Sequence, residues 1–142
     1  MAWSYSVDIW NLGILMFECL CDKSPISGFN SEGQFDMFVQ MAQIIGLLGP
    51  PPVELINRIH PECTGSMYFD ENGQFKHQRY YPPRNEGTFE FMFSTIPDPQ
   101  QNEIFIAFLK RMLRWLPEER ASIDELLADP WMSSVQASRN RR

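Results

Sequence analysis

Apolar residues crowd one segment near the start of the chain, residues 9–20, where polar positions are few. The apolar residues are too dense for one face of an amphipathic helix, which predicts a helix near residues 5–22 of the kind that is normally buried at the centre of a domain. Ser24-Pro25 follows it, and the residue before a proline leaves the helical region. The run is shorter than the roughly 20 residues that span a bilayer, and Asn11 and Glu18 interrupt it. No Lys or Arg precedes it, which argues against a signal peptide.

Three further segments have apolar residues at three- and four-residue steps, which predicts helices near residues 35–48, 101–115 and 122–128. The helix near residues 101–115 has the clearest stripe, formed by Ile104, Phe105, Phe108, Leu109, Met112 and Leu113. We expect Phe105, Phe108, Leu109 and Met112 of this stripe to pack on the first helix. Ser122 and Glu125 have the spacing of a capping box at the start of the fourth helix.

Residues 64–100 read as a mostly irregular insert, and residues 53–56 as one short helical turn before it. Within the insert, Asn72-Gly73 predicts a tight hairpin turn, because both central residues of such a turn need positive φ. We expect no internal repeats. The last residues, 133–142, carry Arg139, Arg141 and Arg142 and predict a polar basic tail.

Composition narrows the class of protein. The chain has 142 residues, of which 44% are hydrophobic, which fits a single packed domain. A net charge of -6 argues against nucleic-acid binding. The cysteines Cys19, Cys21 and Cys63 form no Cys-x-x-Cys pair and are odd in number, which favours a reducing intracellular compartment, cytoplasmic or nuclear.

Candidate chemistry of other kinds is weak. Asp70-x-Asn72-Gly73 resembles the start of a calcium loop, but Tyr81 stands where the loop needs a bidentate Glu. His60 and His77 have no partner ligands at metal spacing. We therefore predict no catalytic, cofactor-binding or metal-binding residues in this chain.

Three segments, in order, resemble the large lobe of eukaryotic Ser/Thr protein kinases. The first is Asp8-Ile9-Trp10-Asn11-Leu12-Gly13, the second is residues 41–52, ending Gly49-Pro50-Pro51-Pro52, and the third is residues 108–122, followed by Pro130-Trp131. Residues 68–77, with Phe69-Asp70-x-x-Gly73, are similar to an insert of SR-protein kinases and CLKs, in the CMGC branch. The resemblance implies a mainly α fragment of the kinase C-lobe over residues 1–132, with a short hairpin in an irregular insert and the tail at 133–142.

The resemblance assigns structural roles to six positions: Asp8, Trp10, Gly13, Leu15, Cys19 and Arg120. Asp8 matches an aspartate that accepts hydrogen bonds from the catalytic-loop backbone. Leu15 and Cys19 match anchors of the apolar column under the adenine, and Arg120 matches the arginine that pairs with the Glu of Ala-Pro-Glu. The plainer alternatives are a helix-start acid for Asp8 and an exposed cation for Arg120.

The 142 residues contain no Gly-rich phosphate loop, no strand Lys, no catalytic-loop Asp with Asn and no Asp-Phe-Gly. We therefore expect a truncated kinase that binds no cofactor itself, although intact members use ATP and Mg²⁺. Two alternatives remain open. One is a binding module for a kinase partner or an Arg-rich peptide, with Asp70, Glu71, Glu86 and Glu90 as acidic candidates. The other is a remnant of a mis-predicted gene, with Met1 an internal methionine. No nucleic-acid or membrane partner is expected, and part of the first helix should be left open.

Overall fold

The computed structural model describes residues 5–21, 24–59, 65–83, 86–94 and 98–139, with side chains to residue 135. His60, Cys63 and the last three residues of the predicted tail lie outside the described residues. The chain divides into a terminal unit, residues 1–20 with 93–142, and a central unit, residues 21–92. The predicted mainly helical fold is confirmed. The α-helices are α1 Ser6–Leu20, α2 Met37–Leu48, α3 Val53–Asn57, α4 Gly65–Tyr68, α5 Phe89–Met92, α6 Pro99–Met112, α7 Ile123–Leu127 and α8 Pro130–Arg139.

In the terminal unit, α1 packs on α6, as the apolar stripe predicts. Five members of the stripe are buried, and Ile106 is buried beside them. Gly13 lies at the crossing, where a Cβ atom would be 2.9 Å from Leu113 Cδ2 and 3.1 Å from Met112 Cβ. A glycine therefore lets the two helices approach closely.

Within the described part of the chain, α1 is buried on one face and exposed on another. Ile9, Gly13 and Phe17, spaced four residues apart, form the buried face. Leu12, Leu15 and Leu20 are exposed by 43%, 56% and 53%. Apolar density marked the helix correctly, but only one face of it is enclosed. Part of its surface is open, as expected.

The helices α6 and α8 each begin at a side-chain cap. Asp98 accepts hydrogen bonds from the backbone N–H groups of Gln100 and Gln101 at the start of α6. Asp129 accepts from the Trp131 N–H at 2.9 Å and pairs with Arg111 at 2.5 Å. Asp129 therefore caps one more helix, which follows the predicted helix near residues 122–128. The helix α8 runs to Arg139, through the first part of the predicted tail; the domain boundary at residue 132 stays a prediction.

The predicted capping box is present at α7. The Glu125 carboxylate accepts from the Ser122 backbone N–H at 2.7 Å and from the Ser122 hydroxyl at 2.8 Å. In return, the Ser122 hydroxyl accepts from the Glu125 N–H. The bonds from the Ser122 backbone and side chain lower the pKa of Glu125.

A lowered pKa gives the capping box a pH dependence of known sign. The carboxylate is favoured in the folded state, so its contribution is present above the unfolded pKa of about 4.3 and is lost as pH falls through the lower folded value. We expect Glu125→Gln to destabilise the chain at pH 6, and the difference from the parent chain to shrink towards pH 3. Urea unfolding at both pH values measures this. A difference that grows on acidification would contradict the prediction.

In the central unit, Asp36 caps α2 by accepting from the Phe38 N–H at 2.8 Å. Gly49, with φ 78°, ends α2, and α3 forms where one more helical turn is expected. Gly46 of α2 lies against Gly87 and Pro82. A Cβ atom on Gly46 would be 3.0 Å from Pro82 Cγ and 3.8 Å from Gly87 Cα. Two glycines therefore allow the insert to approach α2 closely.

The turn at residues 70–73 is present, but its centre differs from the prediction. The Gly73 N–H donates to the Asp70 carbonyl at 3.0 Å, which puts Glu71 and Asn72 at the centre and Gly73 at the fourth position. Glycine is favoured there in the commonest turn type, and its φ is 77°. A single antiparallel bridge, Phe69 with Phe75, closes the turn.

The expectation of no internal repeats is also wrong. Residues 29–35, Phe-Asn-Ser-Glu-Gly-Gln-Phe, and residues 69–75, Phe-Asp-Glu-Asn-Gly-Gln-Phe, share Phe, Gly, Gln and Phe at the same places. Both segments form the same turn. Gly33 donates to the Asn30 carbonyl, Phe29 bridges Phe35, and φ of Gly33 is 73°. The Asn30 side chain accepts from the N–H groups of residues 32 and 34, as Asp70 does from those of residues 72 and 74.

No helix within the described residues has both the length and the apolar character needed to cross a bilayer.

Candidate functional site

Arg120 contacts both the start of α1 and the segment that follows α6. It follows the 3₁₀ turn Pro117–Glu119 and has an extended backbone. Its Nε donates to the Arg114 carbonyl at 3.0 Å, and its Nη1 donates to the Ser6 carbonyl at 2.8 Å. The guanidinium carbon lies 5.0 Å from the centre of the Trp10 ring, within cation–π range. Arg120 therefore joins the start of α1 to the chain after α6.

Two effects shift the pKa of Arg120 in opposite directions. Burial lowers its pKa, and the nearby Glu118 carboxylate opposes that by raising it. Arginine stays protonated in proteins, so Arg120 is a cation here. Its partners are two carbonyl oxygens and a ring face, all of which favour the charged form. The alternative of an exposed surface cation does not describe this side chain, which is half-buried.

An open cleft of about 410 Å³ lies beside Arg120. Its wall includes Tyr5, Glu118, Ser122 and Glu125. Ser122 and Glu125 are occupied by the capping box, so they form neither a nucleophile nor a general base pair. Within the described residues, this arrangement can hold the start of α1 in place.

The other five family positions lie along α1. Gly13 is buried at the crossing with α6, and Trp10 is half-buried under Arg120. Asp8, Leu15 and Cys19 are exposed. The structure brings Arg120 against Trp10. Among the described residues, no hydrogen bond or ion pair is made to the Asp8 carboxylate, although Asp8 lies in the same helix as Trp10 and Gly13. The roles of all six positions stay predictions.

The acidic candidates of the central unit do not form one site. Asp70 is used inside its own turn, where its carboxylate accepts from the N–H groups of Asn72 and Gln74. Glu71, Glu86 and Glu90 are exposed. Glu86 lines an open cleft of about 400 Å³ together with Pro25, Gln43, Met92 and four others, Ser24, Ser27, Pro82 and Gly87.

Sequence reasoning missed two contacts that organise these regions. The first is the bond from Arg120 to the Ser6 carbonyl, because a carbonyl carries no sequence signal. The second is the Arg111–Asp129 pair, in which Asp129 is only 7% exposed. An Asp directly before Pro130 is a helix-start pattern that would have predicted α8.

Comparison with known proteins identifies the class that this fold defines. The model of the protein kinase domain matches residues 1–132. A serine/threonine protein kinase of Aspergillus fumigatus is 33% identical over 133 residues, which cover 93% of this chain and 32% of the relative. Mitogen-activated protein kinase 8 of Arabidopsis thaliana is 29% identical over 94% of this chain and 19% of its own length. SRSF protein kinase 3 of Sus scrofa is 27% identical over 89% of this chain and 22% of its own length.

The chain belongs to the protein kinase family. It spans about a third of the length of the fungal relative and less of the other two. The relatives include both mitogen-activated and SRSF kinases, so the family is established and the branch within it is a matter for proposal.

Proposed function

We propose that these residues form the helical C-lobe part of a Ser/Thr protein kinase similar to the SR-protein kinase and CLK branch. We further propose that the 142-residue chain does not bind ATP or transfer phosphate by itself. Phosphoryl transfer depends on positioning and on charge neutralisation around a nucleotide and Mg²⁺. The sequence contains none of the four motifs that supply these groups in kinases.

One observation carries the proposal: Arg120, the family arginine, reaches the carbonyl of Ser6 across 114 residues and covers the Trp10 ring. These contacts hold the start of α1 in place, which is a structural role. The family role of Arg120 and the branch assignment rest on the resemblance of the motifs, including the insert at residues 68–77.

Calorimetric titration of the purified chain with Mg-ATP tests the proposal. We expect no saturable heat, because the chain has no group to hold the phosphates or the metal. A Ser/Thr kinase with a complete domain serves as the positive control under the same conditions. Stoichiometric binding that is abolished by changing one acidic residue would show that the chain contains a nucleotide site.

A second candidate, a binding module for a kinase partner or an Arg-rich peptide, is favoured by the exposed acids of the central unit. Titrating an Arg-Ser repeat peptide in the same calorimeter separates the two candidates. Binding that is lost on changing Glu71, Glu86 and Glu90 to Gln would support the module. Absence of heat with both ligands would leave the structural proposal standing and remove this one.

A further inference from the structure

The two copies of the repeated turn differ in what covers them. In the second copy, a Cβ atom on Gly73 would be 3.2 Å from Ile56 Cδ1 and 3.5 Å from Val53 Cγ2, so this turn rests on α3. At Gly33, the matching position in the first copy, nothing lies within 4 Å. The two turns therefore have the same backbone design, and only the second has a helix against its tip.

The phenylalanines that flank the two turns also differ, in how much of each side chain is exposed. Phe69 and Phe75 are 6% and 4% exposed, whereas Phe29 and Phe35 are 56% and 59% exposed. The exposed rings meet edge to face, with centres 6.4 Å apart. Two neighbouring phenylalanines more than half exposed form an apolar patch of the kind that marks an interaction surface.

The first turn is held in shape without a partner. Asp36 donates its N–H to the Gly28 carbonyl at 2.8 Å, and the Gly28 N–H donates to the Gln43 side chain at 2.9 Å. Together with the Asn30 bonds, these contacts fix the turn before anything binds. A preordered surface loses less conformational entropy on binding than a flexible loop does.

The charged residues around the first turn indicate which kind of partner would complement it. Within the described residues 24–40, the charged side chains are Glu32 and Asp36, and neither Lys nor Arg is present. An occupant with positive charge beside its apolar side chains would complement this surface.

We propose that the first turn, residues 29–35, docks a short amphipathic helix of a protein partner. The helix presents two aliphatic side chains three residues apart to Gly33 and the Phe29–Phe35 pair, and carries a basic residue near Glu32. The template is internal: α3 presents Val53 and Ile56, at this spacing, to the second copy of the turn.

A labelled peptide with the sequence of residues 50–59, carrying Glu54→Lys to add positive charge, is the probe. Fluorescence anisotropy measures its binding to the full 142-residue chain. We expect saturable binding that weakens at least about tenfold, or roughly 1.4 kcal/mol, when Phe29 and Phe35 are both changed to Ser. The same peptide with Val53→Ser and Ile56→Ser should bind equally weakly.

Two controls separate this surface from others. The double variant Leu12→Ser with Leu15→Ser changes the open face of α1 and should leave the affinity unchanged. Glu32→Lys alters only an exposed charge, keeps the fold, and should weaken binding at least about threefold. The proposal is overturned if there is no saturable binding or if the affinity depends on the leucines instead. It is also overturned if sedimentation shows a dimer that the Phe29 and Phe35 changes dissociate.

Discussion

Replacing Arg120 with Met is expected to lower the free energy of unfolding by about 2–3 kcal/mol. The change removes two charged hydrogen bonds, to the carbonyls of Ser6 and Arg114, and the contact with the Trp10 ring. Charged hydrogen bonds contribute about 1.5–3 kcal/mol each, and solvent screening at a half-buried side chain reduces the total for the two bonds and the ring contact to about 2–3 kcal/mol. Urea unfolding, monitored by circular dichroism, measures the loss.

Two variants test whether the geometry or the charge is responsible. Arg114→Met removes an equal charge from an exposed side chain and should change stability by no more than about 0.5 kcal/mol. Arg120→Lys keeps the charge but cannot reach both carbonyls with one planar group, so it should lose most of the same stability. If Arg120→Lys matched the parent chain, only the charge would matter at this position.

The helical elements follow from local patterns, and the sequence predicts them well. In α6, four stripe residues are buried as expected, because a repeat of three to four residues places them on one side of the helix, and Leu113 directly after it is buried as well. The capping box of Ser122 and Glu125 forms as predicted, since both partners lie within one turn. Such features depend on residues close in sequence.

Which face is covered depends on tertiary contacts and cannot be read from apolar content. Phe29 and Phe69 occupy the same place in nearly the same turn, yet one is 56% exposed and the other 6%. At the second turn, α3 lies against Gly73, and the rings of Tyr68 and Tyr81 contact Phe69 and Phe75; nothing lies within 4 Å of the matching Gly33. For the same reason, the apolar density of α1 predicted a buried helix but not which of its faces would be covered.

In the candidate site, too, the sequence predicts the position that matters but not the partners that it contacts. The motifs predicted that Arg120 has a structural role, but its partners here are backbone carbonyls of Ser6 and Arg114. Every residue has a carbonyl, so no sequence pattern marks these two. The Trp10 ring lies in the motif that drew attention to α1, and only the fold brings it under a residue 110 positions later.

The burial of α1 leads to the largest expected effect of a single change. Phe17 is fully buried, and its ring centre lies 4.6 Å from that of Phe93. We expect Phe17→Ala to destabilise the chain by about 3–5 kcal/mol, because it removes a large apolar side chain and leaves a cavity. That is a large share of the total stability of a small domain, so the variant should melt well below the parent chain in calorimetry.

Leu15→Ala on the opposite side of α1 is the matched control. Leu15 is 56% exposed, so its truncation should cost no more than about 0.5 kcal/mol. The ratio of the two losses reports which face of α1 is enclosed in solution. If Leu15→Ala cost as much as Phe17→Ala, the face carrying Leu12 and Leu15 would be covered in solution, by self-association or by another part of the protein. A concentration-dependent melting temperature would then identify self-association, because a dimer is stabilised by mass action and a monomer is not.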